Sequence, residues 1–327
     1  YRDERVTFGQ LAQRVYSVSS FLRAQGLSRG DRVVLFTAEK FPFLVLHLGI
    51  ILSGGVSVPL NFNFTEDEMR YFLKDSGARF ALTSSREASM LHRLHAECPT
   101  LERIIEHGAS LEFAPGSHHG EEAIEPGDDC FMLYSSGTTG RPKGVMHTHR
   151  NVAASLRALQ QWWNFTPDDV LLNVLPLYHL HGLSFAVHLS LISGSRMMLE
   201  DNFLYTMDKL NDATVFMAIP TMYYDLLRRP EFRDKAKNWK RMRLFTCGSA
   251  PIRPEVLPEL ESILQSKLIN RYGMTESHVI TSLPLAGSSH PGSVGVPIGG
   301  IEMKLITENG TLLSAGSKLR DGSPCVG

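Results

Sequence analysis

The sequence predicts an α/β protein in which two helix-covered, largely parallel sheets pack together. Short apolar runs of strand length alternate with amphipathic segments of helix length along most of the chain. Strands buried on both faces read as continuous hydrophobic runs, which is typical of a parallel sheet covered by helices. The chain has 327 residues, more than most single cores hold, so more than one subdomain is expected.

The N-terminal part of the chain begins this alternation. A helix is predicted over 7–25, with Thr7 as its cap and Gly26 at its end. Strands are predicted at 31–37, 56–60 and 78–84, and further helices at 41–55 and 65–77. The most hydrophobic stretch, 41–60, contains two prolines, a histidine and a Gly-Gly pair, so it predicts a buried helix and strand rather than a transmembrane span.

The alternation resumes after a polar stretch over 107–128, which is rich in Gly and Pro and predicts a long surface loop. Strands are predicted at 130–134, 169–176, 213–219, 242–248 and 267–273, and a helix at 149–163. Residues 302–313 carry two apolar runs around the turn Glu308-Asn309-Gly310, which predicts a β-hairpin.

Composition excludes several classes of protein. Charged residues make up 20% of the chain and the formal net charge is −1, so nothing indicates binding to nucleic acid or an anionic membrane. The four cysteines show no CxxC spacing, which is typical of a reducing compartment without structural zinc. A cytoplasmic location is expected, or a mitochondrial one if a targeting segment has been removed. The pattern predicts no oligomeric state.

A glycine-rich stretch marks the first candidate site. Residues 134–144 read YSSGTTGRPKG, with three glycines, five hydroxyl side chains and two cations. Glycine lets backbone N–H groups approach a ligand, and such groups with hydroxyls and a lysine suit a phosphate chain. The spacing is neither GxGxxG nor Walker A, since Pro142 stands where the second Walker A glycine belongs. Composition alone leaves a solvated surface turn as an open alternative.

Five strings occur in order along the chain: SSGTTGRPKGV (135–145), LPLYHLHGL (175–183), TCGSAPI (246–252), NRYGMTE (270–276) and PGSVGVPIGG (291–300). Together they resemble the motifs of the adenylate-forming, AMP-binding enzymes, which include acyl-CoA synthetases and luciferases. The resemblance covers residues 1 to about 313 and is closest to the malonyl-CoA synthetases. It implies an ATP- and acyl-binding N-terminal domain over 1–290 and the start of a β subdomain over 291–327.

The reaction that the resemblance implies is that of an acid–thiol ligase using ATP, Mg²⁺ and coenzyme A on a small carboxylic acid. The carboxylate attacks the α-phosphorus of ATP to give acyl-AMP and pyrophosphate, and a thiol then displaces AMP. Because the carboxylate is already a nucleophile, catalysis depends on positioning and electrostatics rather than on a catalytic triad. A short or medium acid is expected.

The family's ATP contacts match specific positions of this chain. By resemblance, ATP is bound by Ser135, Ser136, Gly137, Thr138, Thr139, Gly140, Lys143, Gly248, Ser249, Ala250, Arg271, Tyr272, Gly273, Met274 and Thr275. Tyr272 offers a flat face to adenine, and Thr275 a donor to the α-phosphate. Glu276 is the implied Mg²⁺ ligand, although by itself it could be a carboxylate at a helix N-terminus. The implied catalytic residues are Lys143, His179, Thr275 and Glu276.

The acid pocket is expected around His179, His181, Asp225, Ser249 and Met274. By resemblance, His179 orients the acyl carboxylate and His181 lines the pocket, while an ordinary buried histidine remains the alternative for His181. Both histidines belong to an HxH pair, but no third metal ligand stands at zinc-binding spacing, so zinc is not expected.

Two departures from the family pattern bear on activity. Malonate-specific enzymes carry a cation after the PTxY segment, whereas this chain has Asp225, which would repel a second carboxylate unless it points to solvent. Arg228 or Arg229 could reach the pocket instead. The stretch KLRDGSPCVG resembles no part of the family's continuation, in which a lid supplies a catalytic lysine. Weak ATP binding and poor adenylation are therefore expected of this chain.

Three other functions remain open at this stage. The chain could be a non-catalytic nucleotide- or acyl-binding module or an inactive fragment, which would release no pyrophosphate. It could also serve a different acceptor, as in a luciferase-like oxygenase or a carrier-protein ligase. A plain P-loop NTPase is disfavoured because Walker A is missing.

Overall fold

A computed structural model describes residues 1, 4–108, 111, 113, 123–135, 140–203, 206–287, 290–304, 306, 307, 309 and 312. Over these residues the chain forms two sheets with helices packed against them, and most neighbouring strands in each sheet are parallel. The predicted α/β class is therefore confirmed. Within the described residues, no helix is both long enough and apolar enough to cross a membrane.

The first sheet contains six strands. They are β1 (Arg32–Phe36), β2 (Val56–Pro59), β3 (Phe80–Ser84), β4 (Arg103–His107), β5 (Asp129–Ser135) and β6 (Lys143–Thr148). Their order is β4-β3-β1-β2-β5-β6. Every neighbouring pair is parallel except β5 with β6, which is antiparallel.

Helix α1 (Phe8–Ala24) precedes the first strand, and three helices connect strands of the first sheet: α2 (Lys40–Leu52), α3 (Glu66–Ser76) and α4 (Ala88–His95). The predicted cap of α1 is confirmed, since the Thr7 hydroxyl accepts from the Gln10 backbone and the Gln10 side chain accepts from the Thr7 backbone. Thr65 and Glu68 form the same reciprocal cap at the start of α3. These caps satisfy backbone donors that would otherwise lack partners at the helix ends.

The second sheet contains seven strands. They are β7 (Val170–Asn173), β8 (Arg196–Leu199), β9 (Val215–Ala218), β10 (Leu244–Cys247), β11 (Leu268–Met274), β12 (His278–Ser282) and β13 (Val296–Pro297). Their order is β13-β12-β11-β10-β9-β7-β8. The strands from β8 to β11 are parallel, and β12 and β13 are antiparallel to their neighbours.

The helices of this half are α5 (His149–Trp162), α6 (Leu189–Ile192), α7 (Thr206–Lys209), α8 (Pro220–Leu227), α9 (Phe232–Ala236) and α10 (Leu257–Leu264). A π-helix spans His181–His188 and continues directly into α6. The sequence pattern predicted no helix there. π-Helical turns are rare and occur frequently at functional sites.

One hydrophobic cluster joins the two sheets. It contains Phe131 from β5, Leu171 from β7 and Val215 from β9, together with apolar residues of α1, α2, α5 and the π-helix. One smaller hydrophobic cluster lies on the outer side of the first sheet, and another lies on the outer side of the second sheet. The sheets therefore pack together through a shared layer of helices, as predicted.

Two predicted segments differ from the structure or lie partly outside it. The chain was expected to pass from the glycine-rich loop towards a helix near residue 149, but strand β6 intervenes and pairs back onto β5. Of the predicted hairpin, Ile306 and Leu312 form an antiparallel bridge, while 313 and several turn positions lie outside the described residues. Much of the predicted loop at 107–128 also lies outside them.

The division of the chain at residue 290 stays a prediction. Strand β13 lies after this position and pairs with β12, which lies before it, through Thr281 with Pro297 and Ser282 with Val296. The first residues of the proposed β subdomain therefore attach to the edge of the second sheet.

Candidate nucleotide- and acid-binding site

The glycine-rich loop begins and ends on paired strands. Ser135 is the last residue of β5 and Lys143 the first of β6, and the two lie opposite each other in the antiparallel register. The Lys143 side chain is exposed, and so is Gly140. Ser136, Gly137, Thr138 and Thr139 lie outside the described residues. The structure thus positions the base of the loop and its lysine.

A second group of small residues follows β10 at the carboxyl edge of the parallel strands, where ligands of open α/β sheets bind. Gly248 is buried, and Ser249 and Ala250 are exposed. Ser249 has a φ of +70°, a conformation that few non-glycine residues adopt. A Cβ atom on Gly248 would lie 2.6 Å from Nε of Arg271, so glycine is needed there for the arginine to fit.

Strand β11 is buried from Leu268 to Arg271 and becomes exposed towards its end. Arg271 is 3% exposed, whereas Tyr272 is 46% and Met274 43% exposed. A β-bulge lies between Tyr272 and Gly273. A Cβ on Gly273 would lie 2.1 Å from the carbonyl oxygen of His278, so the turn between β11 and β12 requires glycine.

Thr275 and Glu276 lie in the turn that joins β11 to β12. Thr275 is half-buried and Glu276 is exposed. Among the described residues, Glu276 forms no ion pair, so its carboxylate is available to a cation. No group of three potential metal-ligating side chains occurs in the described part of the chain.

Arg271 is buried, with no counter-charge among the described residues. Its Cζ is 4.9 Å from the centroid of the Phe185 ring, and its Nη2 is 3.5 Å from Oγ of Ser249. Nε has no hydrogen-bond partner, and no described carboxylate forms an ion pair with the guanidinium. Burial lowers the pKa of Arg271 to about 10, so the side chain remains a cation at neutral pH.

The two predicted acid-pocket histidines lie in different surroundings. His181 begins the π-helix, is 5% exposed, and its Nδ1 is 3.2 Å from Oγ of Ser249. Burial, with added repulsion from Arg271 and His179, holds the pKa of His181 well below its usual value. Within the described part of the chain, Nε2 of His181 has no hydrogen-bond partner. The structure therefore brings His181, Ser249 and Arg271 together.

His179 is exposed and borders a different space. It lines a cavity of about 910 Å³ together with Tyr134, Ser135, Arg141 and Pro142. This cavity therefore connects the position of the implied acid-orienting histidine with both ends of the glycine-rich loop.

Asp225 lies on α8 with half of its side chain exposed. Its Oδ1 accepts a hydrogen bond from Nη1 of Arg228 at 3.0 Å. The charge of Asp225 is therefore balanced by a surface arginine one helical turn away. This arrangement corresponds to the solvent-facing alternative considered for Asp225.

A buried pair of histidines was not foreseen. Nε2 of His278 is 3.0 Å from Nδ1 of His147, and both rings are almost completely buried. Burial lowers the pKa of His147 to about 4 and that of His278 to about 3. The two residues are 131 positions apart, so no local spacing could have indicated the contact.

Comparison with known proteins shows what the chain is similar to. It is 33% identical over 311 residues to the mitochondrial malonate–CoA ligase of Mus musculus, covering 88% of this chain and 53% of that protein. It is 32% identical to the malonate–CoA ligase of Arabidopsis thaliana, covering 86% of this chain and 50% of the relative. The chain therefore spans about half the length of these curated relatives.

The fold of the chain is also similar to that of solved structures. ATP-bound MatB from Rhodopseudomonas palustris superimposes with a TM-score of 0.87 at 31% identity, covering 96% of this chain and 64% of that one. The inhibitor-bound N-terminal domain of FACL13 from Mycobacterium tuberculosis has a TM-score of 0.83 at 25% identity, covering 96% of this chain and 81% of that domain. The family model described as AMP-binding enzyme matches residues 1–326. The chain belongs to the AMP-binding enzyme family.

Proposed function

We propose that this chain activates a carboxylic acid with ATP as an acyl adenylate, as the first step of an acid–CoA ligase. Its membership of the AMP-binding family supports the adenylation step. Two relatives named malonate–CoA ligases support CoA as the final acceptor. The surfaces described above support a site for both ATP and the acid.

The nucleotide would lie along the carboxyl edge of the second sheet. Tyr272 offers an exposed ring for adenine to stack on, and the exposed small residues Ser249 and Ala250 lie at the same edge of the sheet. The phosphates would reach Lys143 and the end of β5, with Thr275 donating to the α-phosphate. These positions place positive charge where negative charge accumulates during transfer, which is the main source of catalysis in phosphoryl chemistry.

The residues present also fit a magnesium ion carried by ATP. Mg²⁺ in nucleotide sites is bound by one or two carboxylates together with substrate phosphates and water, and it neutralises phosphate charge. Glu276 supplies one exposed carboxylate in the turn next to Thr275. Its lack of an ion pair among the described residues leaves it free for this role.

We further propose that the acid carries a second carboxylate, which Arg271 binds. The observation that carries this proposal is a buried guanidinium with no described carboxylate beside it. Leaving a buried charge unpaired costs several kcal/mol, and an anionic ligand would offset much of that cost. His181 and Ser249 adjoin the guanidinium, and both belong to the expected acid pocket. Arg271, implied by the family resemblance to be an ATP contact, would instead supply the cation for the second carboxylate that Asp225 does not supply.

Pyrophosphate release from the chain with Mg-ATP tests both parts of the proposal. The acids compared are acetate, propionate and octanoate against malonate, methylmalonate and succinate. We expect the wild-type chain to release pyrophosphate with a dicarboxylate, and the Lys143→Ala variant to release none. The Arg271→Gln variant should lower kcat/KM for the dicarboxylate by at least about 10²-fold, since a charge-assisted pair in a desolvated site is lost.

Two results would contradict the proposal in different ways. Preference for a monocarboxylate that Arg271→Gln leaves unchanged would remove the second carboxylate but keep adenylation. Absence of pyrophosphate with every acid, although ATP binds, would instead favour a non-catalytic nucleotide-binding module.

A further inference from the structure

One face of α3 contacts both ends of the glycine-rich loop. Tyr71 and Asp75 are four residues apart and Phe72 and Asp75 three apart, so the side chains of each pair lie next to each other on the helix surface. Met69, Phe72 and Leu73 anchor the helix in the outer hydrophobic cluster of the first sheet. The reciprocal cap at Thr65 and Glu68 fixes its N-terminus. Helix α3 is therefore fixed at its N-terminus and along its buried face, so it can position the loop residues that it contacts.

The end of the loop that leads into β6 is bound through Tyr71. The Tyr71 hydroxyl donates a hydrogen bond of 2.7 Å to the carbonyl oxygen of Pro142. The guanidinium of Arg141 lies over the Tyr71 ring, with Cζ 5.4 Å from the ring centroid. Burial, together with the nearby Asp75, raises the pKa of Tyr71, so its hydroxyl remains a donor at neutral pH.

The end of the loop that leaves β5 is bound through Tyr134. Its hydroxyl donates a hydrogen bond of 2.8 Å to the carboxylate of Asp75. Its ring packs edge-on against Phe72, with the centroids 4.5 Å apart. Both ends of the loop are thus attached to one helix, four residues apart along it.

The contact at Pro142 matters because the strand ladder ends before it. The last register pair of β5 with β6 joins Ser135 to Lys143. Proline has no N–H group, so Pro142 cannot donate a further ladder hydrogen bond. The Tyr71 hydroxyl therefore holds the first loop residue beyond the ladder, directly before the lysine proposed to contact the phosphates.

We propose that Tyr71 is a positioning residue for the nucleotide, which fixes the Arg141–Lys143 segment in the geometry that receives the phosphates. This proposal rests on the proposed function for its ligand. Tyr71 also lines the cavity that Ser135, Arg141 and His179 share, which places it beside the proposed site rather than in a remote part of the fold. By holding the segment before ATP arrives, Tyr71 lowers the ordering cost of binding.

The Tyr71→Phe variant tests the hydroxyl, because it keeps the ring that packs under Arg141. Hydrogen–deuterium exchange of the nucleotide-free chain should show amide exchange near residues 141–145 faster by about 2–10-fold, the range that one net hydrogen bond supplies. Calorimetry should show weaker Mg-ATP binding by a similar factor, with a thermal unfolding midpoint lowered by no more than about 4 °C. Tyr16→Phe, at an exposed tyrosine of α1, is the matched control and should change neither quantity.

Each outcome separates this inference from the proposed function. Unchanged exchange in Tyr71→Phe would overturn the anchoring role, whatever ATP does. Faster exchange with unchanged Mg-ATP affinity would overturn the positioning role while adenylation could still hold. If the wild-type chain binds no Mg-ATP but Tyr71→Phe still shows faster exchange, both the proposed function and the nucleotide role of Tyr71 are refuted. Only the anchoring of the loop by Tyr71 would then remain. Lys143→Ala reports on the proposed function separately, because Lys143 lies on the ladder beyond the Tyr71 contact.

Discussion

Arg271 lies over the ring of Phe185, with its Cζ 4.9 Å from the ring centroid. A ring face attracts a cation by about 2 kcal/mol when both are desolvated, but it does not neutralise the charge. Gly248 provides the space for the guanidinium on another side, since a Cβ there would lie 2.7 Å from Cζ. The arginine is therefore held in place by packing while its charge stays available to an anion.

Gly248→Ala should displace this guanidinium. The new methyl group overlaps Arg271, and overpacking of this kind costs about 1–3 kcal/mol. Urea unfolding should show lower stability by that amount, and KM for a dicarboxylate should rise more than KM for ATP. Gly9→Ala in α1 is the control, since its Cβ would meet nothing closer than 3.9 Å and it should not destabilise the chain. Wild-type stability and wild-type KM in Gly248→Ala would contradict the packing argument.

Asp225→Asn should leave the choice of acid unchanged. Asp225 is half exposed and already paired with Arg228, so its charge does not act on a ligand in the interior. Relative kcat/KM values for malonate, methylmalonate and acetate are expected to match those of the wild type within about twofold, the scale of a weak exposed ion pair. A marked gain of dicarboxylate activity in Asp225→Asn would show instead that Asp225 faces the acid.

The sequence predicted the two-sheet fold because buried strands and amphipathic helices carry their periodicity locally. Strand β6 was not predicted, because Lys143–Thr148 is a short edge strand whose pairing with β5 depends on the loop folding back. The π-helix at His181–His188 was not predicted either, since nothing in its residue pattern distinguishes it from a loop motif.

The candidate site was predictable where motifs are contiguous. The turn after β11 and the small residues after β10 were identified from short strings, and the structure places both at the carboxyl edge of the second sheet. Pairings between distant residues were not predictable. The Tyr71–Pro142 bond and the His147–His278 pair join positions 71 and 131 residues apart, and only the packed sheets bring them together.

Asp169→Asn should destabilise the chain substantially. Both carboxylate oxygens of Asp169 bind Arg243, at 2.7 Å from Nε and 2.5 Å from Nη2, and Thr214 donates a further bond. Burial opposes ionisation, but these bonds outweigh it and lower the pKa of Asp169. A loss of about 2–3 kcal/mol is expected, below the value for a wholly buried pair because Arg243 keeps contact with water.

Urea unfolding at pH 7 measures the loss. Asp234→Asn, which breaks an exposed pair with Lys237, is the matched control and should have no measurable effect. Equal stability of the two variants would contradict the importance of the Asp169–Arg243 contact.

Stability should fall as the pH falls below about 6.5, because of the buried histidines. Burial lowers the pKa of His147 and of His188 to about 4 and that of His278 to about 3, while an unfolded histidine titrates near 6.5. Between those values the unfolded chain binds more protons than the folded one. Each histidine then removes at most about 1.4 kcal/mol of the free energy of unfolding per pH unit of acidification.

Urea unfolding between pH 7 and pH 4.5 checks this expectation, and His188→Gln identifies the source of the slope. His188 lies 3.0 Å from His47 through their Nε2 atoms and is fully buried, so its replacement should cost stability at pH 7 but remove about one proton from the acid-side slope. The exposed His290→Gln variant should keep the wild-type slope. If His188→Gln loses stability on acidification as steeply as the wild type, the buried histidines are not what makes the fold sensitive to acid.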